Sequence, residues 1–217
     1  MRLNRFQVVV SILFFSLLLA SPAFANSVNM QFISATPSGI GGGGVYPFSV
    51  SVNGVANSLL CDSFDNNVSR LETWTATATP FLQGIANSLF GPSMTTDYKA
   101  AGLIFESMLA GHITNTDGNW AIWGLFSANA RAQSQFGTTG AAAIDASYLA
   151  LASSAKNSAF NGLVLYTPKP GTQSMGMGTP QEFIGFNSTV PEPSTLMMLG
   201  TGLVGLAGAI RRKISSV

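Results

Sequence analysis

Two residues, Asn53-Gly54, constrain the fold of this chain more than any other pair. They separate an alternating run (Phe48, Val50 and Val52, with Ser49 and Ser51 between) from a second run, Val55 to Asp62. A two-residue type I′ turn needs φ > 0 at both central positions, which Asn and Gly tolerate best, so the pattern predicts a β-hairpin. A turn this short fixes the register. Val52 faces Val55, Val50 faces Asn57, Phe48 faces Leu59 and Tyr46 faces Cys61. Directly paired residues share a face, so the single cysteine, Cys61, is expected on the apolar side. One cysteine also excludes an internal disulfide.

Around this hairpin the pattern changes twice. Met30 to Ser34 reads as a short strand, followed by a flexible connection through Pro37-Ser38-Gly39 and Gly41 to Gly44. Asp62 to Asn67 reads as a loop, and Val68 to Thr79 as a third strand. After Pro80 the apolar period becomes helical. Phe81 to Phe90 suggests a short helix. Asp97 to Ala110 is a longer one, capped by Thr95 or Thr96, with Tyr98, Ala101, Phe105, Met108 and Leu109 as its stripe and Gly111 as its end. Trp120 to Ala130 is apolar on most sides and so predicts a central helix. Ala141 to Lys156 is alanine-rich, with Ile144, Tyr148 and Leu151 on one face. Strands return at Gly162 to Thr167 and Glu182 to Phe186, around a loop from Pro168 to Pro180. Strands, then helices, then strands predict an α+β fold: a hairpin-rich antiparallel sheet packed with three or four helices.

Both ends of the chain are apolar and unlike its middle. Met1 to Ala25 reads as a secretory signal peptide: Arg2 and Arg5 form the charged start, Phe6 to Ala20 the apolar stretch, and Ala23-Phe24-Ala25 the small-residue cleavage site. Signal peptidase would leave Asn26 as the new N-terminus. At the other end, Val190-Pro191-Glu192-Pro193-Ser194 is a stiff turn that no helix crosses, because each proline fixes its own φ and biases its predecessor to extended backbone. An uncharged run, Leu196 to Ile210, follows, and then Arg211-Arg212-Lys213. At 1.5 Å per residue the run reaches roughly 22 Å against a hydrocarbon core of roughly 30 Å, which makes a marginal transmembrane helix. Its basic end belongs in the cytoplasm.

That order of proline turn, short apolar helix and basic stop resembles the PEP-CTERM sorting signal of bacterial exported proteins, also catalogued as the ice-binding protein C-terminal domain. The resemblance covers residues 190–213. It implies transient membrane anchoring, then cutting near Pro191-Glu192-Pro193 by an exosortase-type membrane protease or transpeptidase. The alternative is a plain C-terminal anchor that is never cut. The expected organisation is a signal peptide at 1–25, a single exported domain at 26–189, and the sorting signal at 190–213 with its helix at 196–210.

Between Asn26 and Thr189 eight acids stand against five bases, a net charge of −3, so the basic balance of the whole chain resides in its ends. Without a basic patch, nucleic acid is not an expected partner. His112, the only histidine, follows helix-ending Gly111 and is expected in solvent or against the helix dipole. Zinc would need more ligands than one His and one Cys. Asp62 and Asp65 open an acidic loop, but Phe64 and Val68 break the calcium-loop pattern. No catalytic residue, metal or cofactor is assigned.

One further constellation stands out. Cys61 at a strand end, then Tyr98 to Ile104 (YKAAGLI), then Asn119-Trp120-Ala121-Ile122-Trp123 resembles the order in thioester domains of bacterial surface adhesins. The resemblance implies a Cys61–Asn119 pair at the position of that family's cysteine–glutamine bond. Asn119 stands where the glutamine would be, and Gly118 where a threonine would be. The plainer reading is that Trp120, Ile122 and Trp123 are core, with Asn119 or Asp117 capping their helix. The expected function is an exported envelope or extracellular-matrix protein with a structural or adhesive role, with extracellular polysaccharide as a candidate partner. The alternative is a secreted hydrolase of matrix polysaccharide.

Overall fold

The Asn53-Gly54 turn forms as its residue types dictate, with φ of 50° and 85°. It joins β2 (Gly44–Val52) to β3 (Val55–Cys61), paired as Phe48–Leu59, Val50–Asn57 and Val52–Val55. The pairing stops at Phe48–Leu59, so the expected Tyr46–Cys61 pair does not form. Cys61 pairs instead with Phe183. The computed structural model describes residues 26–37, 44–176 and 178–186. The expected signal peptide, the glycines at 41–43, and the sorting signal with its apolar helix lie outside the described residues. Among the described residues no helix is long and apolar enough to cross a membrane. The chain divides into two units, Met1–Phe186 and Asn187–Val217.

Six antiparallel strands close into a barrel in the order β1-β2-β3-β6-β5-β4. The other four are β1 (Asn26–Pro37), β4 (Thr73–Pro80), β5 (Leu163–Pro168) and β6 (Phe183–Phe186). Closure removes the free edges that an open sheet would have to protect. β1 is far longer than the short strand expected from Met30 to Ser34, because it pairs on both sides, with β2 and with β4. β4 begins later than expected: Leu71 has φ of 67° and is exposed, so Val68 to Leu71 is a loop. Paired residues share a face, and this places Met30, Phe48, Val50, Leu59, Cys61, Trp74 and Phe183 together inside. Phe183 meets Phe48 edge-on at 5.7 Å and stacks with Trp74 at 6.1 Å, which confirms a single packed interior.

The helices lie between β4 and β5 in sequence and cover one side of the barrel's outer wall. They are α1 (Phe81–Gly84), α2 (Thr95–Leu109), α3 (Asn115–Phe126), the short α4 (Ala128–Arg131) and α5 (Ser134–Thr138), and α6 (Ala141–Ala152). Outward-facing Leu60, Leu165 and Ile184 are fully buried beneath this layer. The stripe on α2 buries Tyr98, Ala101, Phe105 and Met108, but Leu109 is exposed. Neither Thr95 nor Thr96 caps α2. Thr95 lies inside the helix, and its hydroxyl donates back to the Pro92 carbonyl. α3 starts earlier than Trp120, because Thr114 is its N-cap and accepts the Asp117 N–H at 3.1 Å. Asn119 is therefore an interior helical residue and not a cap. α3 is central as expected, with Gly118 to Leu125 all buried. Two glycines allow this: a Cβ on Gly118 would run into Met108, and one on Gly124 into Phe136 and Asp145.

Candidate functional site

The register that pairs Cys61 with Phe183 brings the next residues along, Asp62 and Glu182, side by side. The Asp62 N–H donates to the Glu182 carbonyl at 3.3 Å. On the other side, Tyr166 pairs with Phe183, which brings Thr167 next to Glu182. Asp62, Glu182 and Thr167 thus form one row across β3, β6 and β5, on the outer face and beneath the helices. Asp62 and Glu182 are both completely buried. From the sequence, Glu182 is only the first residue of the strand Glu182 to Phe186, and Asp62 only the start of an acidic loop. The available signal was a glutamate entering the apolar strand Phe183-Ile184-Gly185-Phe186, since an acid there must be buried and partnered.

The two carboxyls differ in their surroundings. Glu182 accepts from the Thr167 hydroxyl at 2.6 Å, from the Leu89 N–H at 3.0 Å, and from the Tyr98 hydroxyl. Asp62 has no such donors; both of its oxygens are sealed from solvent without a protein N–H or O–H to accept. Burial, then the neighbouring Glu182 charge, holds the Asp62 carboxyl well above the usual carboxylate range. Burial raises Glu182 too, opposed by the donors from Thr167, Tyr98 and Leu89. Two carboxylates cannot hydrogen-bond to each other unless one keeps a proton. Both carboxyls are thus held above their ordinary range, Asp62 well above it because it lacks the donors that Glu182 has. Tyr98 is held neutral by the same burial and by both acids.

Cys61 and Asn119, which the sequence suggested as a pair, are brought together. The Asn119 carboxamide accepts the Tyr46 N–H at 2.7 Å and donates to the Cys61 carbonyl at 3.2 Å. It occupies the place of the missing Tyr46–Cys61 rung, joining β2 to β3 as a strand's peptide group would. The thiol itself turns to Ser63, donating to its carbonyl at 3.6 Å. Burial, with a further push from Asp62, raises that thiol to about 12. Ser63 also ties in the carboxyl row, because its hydroxyl accepts the Glu182 N–H at 2.9 Å. One seam thus carries Cys61, Asp62, Ser63, Asn119 and Glu182.

The remaining candidates lie apart. His112 is exposed just after α2. Asp65 is exposed and accepts from the Asn129 amide at 2.8 Å, so it does not join Asp62 in a common cation loop. Among the described residues no cluster of three or more His, Cys, Asp or Glu could hold a metal ion. Sorting residues Val190 to Ser194 and Arg211 to Lys213, and cleavage residues Ala23 and Ala25, lie outside the described residues. Asn26 is the first residue of β1.

Compared with known proteins, the chain carries a PEP-CTERM protein-sorting motif at residues 189–213. That motif marks an exosortase-sorted protein of the envelope or extracellular space. No curated protein and no solved structure matches the chain.

Proposed function

We propose that the exported domain is a structural or adhesive component of the cell envelope or extracellular matrix, delivered by its sorting motif. The sealing of its reactive groups carries this reading: Cys61, Asn119 and Glu182 are buried and bonded to the protein's own groups, and the Asp62 carboxyl is buried beside Glu182. Groups spent in this way lock a seam. A reacting carboxyl or thiol needs access to substrate. Low charge and a net of −3 suit contact with a hydrated polymer rather than with nucleic acid.

The alternative, a hydrolase of matrix polysaccharide, draws support from the adjacent Asp62 and Glu182, since glycoside hydrolysis employs two carboxyls. Incubating the protein with polysaccharides separates the two readings. Saturable binding without release of reducing ends is expected. Turnover that Glu182→Gln abolishes would replace the adhesive reading with the hydrolytic one.

A further inference from the structure

The loop between β3 and β4 carries Asp65-Asn66-Asn67-Val68-Ser69, in which Asn67-Val68-Ser69 is an Asn-x-Ser triplet. An asparagine followed at the second position by Ser or Thr, with no proline between, is the acceptor pattern for sugar on exported proteins. The sequence holds one other such triplet, Asn187-Ser188-Thr189, which lies outside the described residues. Three residues match by chance often, so the way the fold presents Asn67 has to carry the argument.

The residues around Asn67 are tied down. Asp65 accepts from the Asn129 amide at 2.8 Å. The Asn66 amide donates to the Thr179 carbonyl at 3.0 Å, and the Asn66 carbonyl accepts from the Gln181 amide at 2.7 Å. The Ser69 N–H donates to the Glu72 carboxyl at 2.7 Å, and the Ser69 carbonyl accepts the Glu72 N–H at 2.9 Å. Both of these bonds use the Ser69 backbone and leave its hydroxyl out. Val68 packs against the core. Asn67 is exposed instead, and among the described residues neither its backbone nor its carboxamide makes a hydrogen bond. Residues 66–69 belong to no helix or strand. An enzyme can therefore take hold of the Asn67 carboxamide without breaking a rung of the barrel, on a loop anchored on both sides of it. Loops held this way on a rigid scaffold are where modifying enzymes find access.

We propose that Asn67 is an N-glycosylation site, modified once the chain has crossed the membrane, with a lipid diphosphate-linked oligosaccharide as the donor. The sorting motif at 189–213 marks the chain for that export. The assignment stands on the loop and on export, not on the adhesive reading. A neutral carboxamide is a weak nucleophile, so the transferase must hold it, and the hydroxyl two residues on, at Ser69, is the group it can hydrogen-bond while doing so. In the transfer, Asn67 Nδ2 bonds to the anomeric carbon of the first sugar and gives up one proton to a base of the transferase. The bond from that carbon to the donor's diphosphate oxygen breaks, and the lipid diphosphate leaves with the electron pair.

The test uses the full chain expressed in its host and recovered after export, read by peptide mass spectrometry with fragmentation. The peptide that contains Asn67 should carry added sugar mass, localised to that asparagine. Asn67→Gln and Ser69→Ala should each lose it completely, whereas Ser69→Thr should keep it. Melting temperatures of unglycosylated Asn67→Gln and Ser69→Ala should match each other, since neither removed side-chain group is bonded in the fold. Exported protein with an unmodified Asn67 overturns the proposal. So does sugar confined to Asn187, sugar on Ser or Thr hydroxyls that β-elimination releases, or sugar at Asn67 that survives Ser69→Ala.

Discussion

At the residue scale, the two groups that invite a chemical interpretation are both held in place by backbone. The Cys61 thiol is buried, bonded to Ser63 and raised to about 12, so almost none of it is thiolate at neutral pH. Native protein should react with a thiol reagent many-fold more slowly than urea-unfolded protein; equal rates would contradict the inward placement of Cys61. Asn119 uses both ends of its carboxamide on the backbone of Tyr46 and Cys61. Intact-mass measurement should therefore find no loss of ammonia in the native protein. A deficit reversed by added amine would establish a Cys61–Asn119 bond instead. Asn119→Ala leaves a buried N–H and C=O without partners and should cost roughly 2–4 kcal/mol in denaturant unfolding.

The carboxyl row gives stability a definite dependence on pH. Asp62, Glu182 and Asp145 are all raised in the folded state, Asp145 to about 7 by burial, partly relieved by Arg131. A folded state that holds protons more tightly than the unfolded one is favoured at low pH. The stabilising contribution is complete below the unfolded carboxylate range near pH 4. It is lost as pH rises through the raised folded values. Urea midpoints should thus fall from pH 5 to pH 8. Asp145→Asn should flatten the part of this slope below about pH 7, and Asp62→Asn should flatten the slope by removing the second raised acid. Identical slopes in both variants and the parent would show that these groups do not carry the effect.

At the scale of elements, the hairpin was legible in full down to Phe48–Leu59, because a two-residue turn leaves no freedom in register. Helical periodicity gave α2, α3 and α6, though not their caps. Thr114 gives little signal as the cap of α3, because Gly118 in the helix's first turns weakens the helical pattern, yet Gly118 lets Met108 approach. Barrel closure was not legible. It depends on β3 meeting β6 more than a hundred residues later, and β6 is only four residues long. The carboxyl row was hidden for the same reason, since Asp62 and Glu182 become neighbours only through that pairing. Close helix packing makes a prediction of its own. Gly124→Ala would force the Phe136 ring and Asp145 aside, so it should destabilise by roughly 1–3 kcal/mol despite alanine's better helix propensity. A neutral or stabilising outcome in thermal unfolding would mean that α3 and α5 can separate at little cost.

At the scale of the whole molecule, sorting and folding are divided cleanly along the chain. β1 begins at Asn26, where signal peptidase is expected to leave the N-terminus, and β6 ends at Phe186, ahead of the matched motif at 189–213. Both expected cuts therefore fall outside the barrel, and neither removes a rung of it. The apolar run expected from the sequence to span the membrane would reach roughly 22 Å in a roughly 30 Å core, so Arg211, Arg212 and Lys213 are expected to contribute much of the retention that gives exosortase time to act. Deleting Arg211 to Lys213 in a host with exosortase should reduce cutting near Pro191-Glu192-Pro193 and leave the barrel's thermal stability unchanged. Mass spectrometry of the protein recovered from parent and deletion strains reads both termini directly. The parent should begin at Asn26 and end within or just before the proline turn. Parent protein that keeps its basic tail at steady state would mean that the segment is a lasting anchor, and the envelope, not the surrounding matrix, would then be where this barrel works.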